Sequence, residues 1–127
     1  MTRSVLSASL SLSLALILTA SIAPAKDVAK DPTVRARMEL MERLGQNLKI
    51  VGDMATKKAP FDATAAAAAT DALRKDAAKV TDAFDEPATD PASKALPRLW
   101  DYEGEFWQKT RRLQKAADDL DPSSAGG

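Results

Sequence analysis

The sequence predicts an all-α fold, an antiparallel bundle of three helices, and three observations carry the prediction. Apolar residues recur at steps of three and four over three long segments. Two of those segments open on an aspartate cap, at Asp31 and at Asp62. No segment alternates apolar and polar residues, and the β-branched residues are scattered, so there is no strand signal.

The first 25 residues read as a secretory signal. Arg3 gives a positive start, Leu10 to Leu18 an apolar stretch, and Ala23-Pro24-Ala25 a small-residue cleavage site that leaves Lys26 as the new N-terminus. The apolar stretch is shorter than the roughly 20 residues of a membrane-spanning helix. No cysteine follows the site to take a lipid. The expected location is therefore the periplasm, with no membrane span after cleavage.

The bundle domain is expected over residues 26–121, with helices at about 32–57, 62–84 and 94–120 and a flexible tail at 122–127. Asp31-Pro32 starts the first helix, because proline at the first position gives up an N–H that has no helical partner. Val34, Met38, Met41, Leu44, Leu48, Val51 and Ala55 form its apolar face. Gly45 and Gly52 lie seven apart on nearly the same stripe and would admit a close neighbouring backbone. Lys57 and Lys58 suit the negative C-terminal end. Asp62 then caps the second helix, whose stripe is Ala66, Ala69, Leu73, Ala77, Val80 and Phe84. An acidic, proline-containing loop over 85–91 follows. Ser93 caps the third helix, with Pro97 in its first turn and Leu96, Leu99, Trp100, Phe106, Trp107, Thr110, Leu113, Ala117 and Leu120 facing inward. Asp121-Pro122 ends it.

Composition excludes much chemistry. The sequence has no cysteine and no histidine, which removes disulfides and the Cys- and His-based metal sites and nucleophiles. Cleavage removes Arg3 from an otherwise balanced set of charges, so the net charge is near −1 and nucleic acid is not expected as a partner. Asp101, Glu103 and Glu105 alternate around a helix, and Asp118, Asp119 and Asp121 gather at a helix end. Neither set converges as an acid–base pair would. No enzymatic activity is expected. Met38, Met41 and Met54 read as core filler, Trp100, Phe106 and Trp107 as core anchors, and Arg35, Arg37 and Arg43 as a solvated face.

In order along the chain, these residues resemble the cytochrome c-prime family. The likeness runs through Val34-Arg35-Ala36-Arg37-Met38-Glu39-Leu40-Met41, then Leu48 to Met54, then Lys58-Ala59-Pro60-Phe61-Asp62-Ala63 before an alanine-rich helix. It resumes at Lys94-Ala95-Leu96-Pro97-Arg98-Leu99-Trp100, with Phe106 six residues on. The resemblance implies three helices of a periplasmic, usually dimeric four-helix bundle. It also implies haem, with electron transfer or the binding of small gases. Arg37 would contact a haem propionate, Met41 would cover the distal face beside Met38, and Lys94 would lie near the haem edge.

The family's fourth helix carries C-x-x-C-H, which supplies the covalent attachment and the axial histidine. This sequence ends after the third helix. The expectation is a truncated or frameshifted gene, or a haem-free descendant, and covalent attachment is not possible in this chain. Met41 and Tyr102 remain as iron ligands, and the spacing favours neither. Non-covalent capture of haem between the first and third helices stays open.

Without a fourth helix, apolar parts of the first and third are uncovered. A 400 Å² patch forfeits about 10 kcal/mol, comparable with the whole stability of many domains. Association, as a homodimer or with a partner helix on that face, or else instability, is expected in place of a comfortable monomer. A redox partner is implied if haem is held. The alternative function is a haem-free periplasmic interaction protein.

Overall fold

A computed structural model describes residues 28–127; the expected signal lies outside the described residues. The described residues form an all-α bundle with α1 at Pro32–Ala55, α2 at Ala63–Ala83, α3 at Arg98–Asp101 and α4 at Glu103–Asp119, followed by a 3-10 helix at Pro122–Gly126. α2 is the middle element, packing against α1 on one side and α4 on the other. No Cα of α1 comes within 8 Å of any Cα of α4. The three long helices thus occupy three corners of a square and leave one corner open between α1 and α4.

The cap residues act as their sequence predicts. Asp31 accepts from the Val34 N–H at 2.9 Å and Asp62 from the Ala65 N–H at 2.8 Å, each satisfying an orphan donor of its first turn. α1 stops two residues short of the expected Lys57, because Lys57 takes a left-handed φ of 60°. That reversal lets the Lys58 and Ala59 N–H groups donate to the Asp53 carbonyl at 2.8 and 3.0 Å.

The buried face of α1 is Val34, Arg37, Leu40, Leu44, Val51 and Met54. This is rotated from the expected stripe, for Met41 and Leu48 are 47% and 62% exposed. Helical geometry explains the offset. The sequence holds two adjacent apolar stripes about one residue, or 100°, apart, and α2 covers only one of them. Gly45 and Gly52 lie on the uncovered stripe, and a Cβ built on either meets nothing within 4 Å, so neither receives a neighbouring backbone.

Opposite α1, α2 presents Ala66, Ala69 and Ala77, all buried, beside Leu73 and Val80. Its run of five alanines is packing surface and not a linker. Thr70 is fully buried among them with its hydroxyl unpaired. Thr70→Val keeps the shape and removes an unsatisfied polar atom, so the urea midpoint should rise by an amount equivalent to about 1 kcal/mol.

The expected third helix is broken. Pro97 cannot donate to residue 93 and pushes Leu96 out of helical geometry. Ser93 therefore caps only a local turn, its hydroxyl accepting from the Ala95 N–H at 3.2 Å. A second break falls at Tyr102, between α3 and α4. Here a tertiary bond wins over helix continuity: the Trp100 indole N–H donates to the Phe84 carbonyl at the end of α2, at 2.9 Å.

The tail is also ordered, contrary to expectation. Asp121 caps the 3-10 helix through Ser123, Ala125 is buried against α1 and α2, and Gly126 lies over the Phe61 ring. Arg74 of α2 donates to the carbonyls of Ala117 at 3.1 Å and Leu120 at 2.6 Å, which fixes the last turn of α4.

Candidate functional site

A groove of about 380 Å³ runs between the first half of α1 and residues 92–95. Val34, Met38 and Met41 form one wall, Ala92 to Ala95 the other, with Phe84 and Arg37 at the α2 end and Glu42 at the rim. All four residues assigned through the family resemblance, Arg37, Met38, Met41 and Lys94, line this one groove. Tyr102 does not; it belongs to a separate depression with Leu96, Arg98 and Phe106.

The far wall is a loop, so something must hold it. Asp90 accepts from the Lys30, Asp31 and Ala92 N–H groups at 2.8, 2.9 and 2.9 Å. These backbone donors, that of Asp31 first, hold its carboxyl below the usual aspartate range. The loop is thereby tied to the residues that open α1. Ala92 in turn packs with Ala29 and Val34, with Met38 and Ala88 alongside. Arg35 closes the same corner by donating twice to the Ala29 carbonyl, at 3.1 and 2.8 Å.

Arg37 differs most from expectation. It is 4% exposed and not part of a solvated face. Its Nε donates to the Ala83 carbonyl, one terminal nitrogen to Glu86 and the other to Ala88 at 3.4 Å. The guanidinium carbon lies 5.1 Å from the Phe84 ring centroid and 5.2 Å from that of Trp100. Burial pulls its pKa down and the nearby Asp31 carboxylate pushes it back up. With its donors committed to the C-terminal carbonyls of α2, Arg37 builds the floor of the groove and has no free fork for a carboxylate.

Arg43 likewise forms an ion pair with Asp76 instead of standing free in solvent. Met38 is half-buried, Met41 is open to the groove, and Lys94 is an exposed cation on its far lip.

The donor set decides which parts of a haem this groove suits. Thioethers, aliphatic carbons and an aromatic edge suit one apolar face of a flat macrocycle, and the Lys94 ammonium suits its carboxylates. For iron, the groove has only thioether sulfur as a soft ligand. These 127 residues contain no thiol and no imidazole, so they supply neither the thioether links nor the histidine ligand. The volume lies at the small end of the roughly 300–1,000 Å³ usual for ligand pockets, enough for part of a macrocycle.

The Asp90 tether and the Arg37 floor escaped the sequence reading. Asp90 before Pro91 is a turn signal, but its long-range partners at Lys30 and Asp31 have no local signature.

No curated protein and no solved structure matches the chain. The family model described as cytochrome C' matches residues 32–127, from the first residue of α1 to the end of the chain. On that match, together with the three-cornered bundle and the groove beside α1, the chain belongs to the cytochrome c-prime family.

Proposed function

We propose that this chain is an exported, periplasmic haem-binding protein serving electron transfer or small-gas binding, and that it holds haem without covalent links. The observation that supports this reading is the meeting of Met38, Met41, Arg37 and Lys94, from distant parts of the sequence, on one apolar groove. No described helix is long and apolar enough to cross a membrane. Binding, not catalysis, is what the groove's chemistry suits, because its titratable groups, Glu42 and Lys94, stand on the rim and not in a paired site.

Haem, when bound, supplies the redox-active and gas-binding iron. The chain's own residues provide the surroundings. Val34, Met38 and Met41 exclude water from one face, and Lys94 can pair with a propionate across the lip. Arg37 acts at one remove, holding the end of α2 so that Phe84 closes the groove.

Titration with haemin should give a saturable Soret shift. Met41→Ala should weaken binding roughly tenfold, the scale expected for losing one buried side chain. Lys94→Glu should weaken it less, and more at low salt than at high. A linear, unsaturable response, or an affinity indifferent to Met41→Ala, would defeat this reading.

A further inference from the structure

The second apolar stripe of α1 has a pattern of its own. Met38, Met41, Gly45, Leu48, Gly52 and Ala55 follow steps of three and four, which places them on one side of the helix. This side borders the open corner, where no Cα of α4 comes within 8 Å. Large and small residues alternate in pairs along it. Met41 and Leu48 are seven apart and project outward; Gly45 and Gly52 are seven apart and leave space beyond their Cα atoms.

We propose that this stripe pairs, antiparallel, with the same stripe of a second copy of the chain. Turned end for end about a point between Gln46 and Asn47, α1 places Met38 opposite Ala55, Met41 opposite Gly52, and Gly45 opposite Leu48. Every layer then sets one large side chain against one small, which fills space without a clash. A parallel pair would stack Gly45 on Gly45 and Leu48 on Leu48, leaving gaps beside crowding.

The flanking charges agree with the antiparallel arrangement. Glu42 and Lys49 follow Met41 and Leu48 on the same edge of the stripe, and the antiparallel register brings each opposite the other's counterpart across the two-fold axis. Within one chain Lys49 also pairs with Asp53 one turn on, which leaves the cation on that edge. The complement that the stripe needs is thus in its own sequence, which is the condition for a two-fold interface. A single helix pair lies at or below the roughly 1,200 Å² of small specific interfaces, so the dimer should dissociate at about 1–100 µM.

Sedimentation equilibrium of the purified, processed chain without haem tests this, and its result does not depend on the haem reading. A reversible monomer–dimer equilibrium is expected. Leu48→Glu should leave a monomer. Gly45→Leu should also leave a monomer although its helix content and thermal stability are kept or raised, because the new side chain meets nothing within its own chain and replaces a poor helix former. Glu42→Lys and Lys49→Glu should each weaken dimerisation about tenfold, and the double exchange should return it to near the original value. A wild-type monomer at every concentration overturns the proposal. So does a Gly45→Leu variant that associates as well as or better than wild type, or a double exchange no better than either single one.

Discussion

Replacing Arg37 with alanine should cost about 3–5 kcal/mol, the scale for breaking a buried, hydrogen-bonded charge network. Three backbone carbonyls, those of Ala83, Glu86 and Ala88, lose a charged donor at once. Two are at or beyond the end of α2, where helical geometry offers no replacement. The rings of Phe84 and Trp100 also lose the cation between them, and a void opens where the side chain lay. Arg37→Lys separates the contributions. It keeps a charge but cannot reach three carbonyls with one ammonium, so it should recover less than half of the loss. The measurement is the denaturant midpoint at constant m-value. An alanine variant within 1 kcal/mol of wild type would mean that the carbonyls find other donors and that the floor of the groove does not depend on Arg37.

The second large effect is expected at Asp76. This carboxylate is 6% exposed on the inner side of α2. It accepts from Arg43 at 3.1 and 3.4 Å and from Lys79 at 3.3 Å, tying α1 to α2. The Arg43 hydrogen bond is the main reason its carboxyl is held below the usual aspartate value; burial opposes it, and Lys79 adds to the lowering. A carboxyl depressed on folding contributes stability that is present above its unfolded value near 3.9 and is lost as pH falls through the lower folded value. Asp76→Asn should therefore cost about 1–2 kcal/mol at pH 7, a figure reduced because Arg43 is half-exposed and water screens the pair. The gap between variant and wild type should close as pH falls below about 4. Asp90, Glu105 and Asp121 are lowered in the same sense. They titrate in both proteins and cancel in the difference. A gap that stays constant down to pH 2 would refute the assignment.

Local chemistry made much of this fold readable before any coordinates. Asp31 and Asp62 cap their helices through neighbours three residues away, and that information is contiguous in the chain. Pro97 announces a disturbance on its own, although not where the helix resumes. What was hidden depends on partners distant in sequence. The apolar face of α1 was read one stripe off, because periodicity shows that Met41 and Leu48 are apolar but not which neighbour arrives. Trp100 breaks the third helix by reaching Phe84, and nothing near Tyr102 foretells it. Arg37 looked like one of three surface arginines flanking a methionine stripe. Its burial follows from the carbonyls that end α2, 46 residues away. The groove is a similar case: Met38, Met41 and Lys94 came from likeness to a family, whereas their closeness comes from Asp90 tying a loop to the start of α1.

Met38 and Met41 line the groove and also stand at one end of the uncovered stripe. The same two sulfur-bearing side chains thus serve two surfaces, and a guest in the groove and a second helix on the stripe compete for them. Such competition is reciprocal: whatever weakens one association strengthens the other by the same factor. Crowding this chain into a smaller volume would then lower its apparent appetite for a groove ligand, and dilution would restore it. Abundance itself becomes a control on loading, with no separate regulator required.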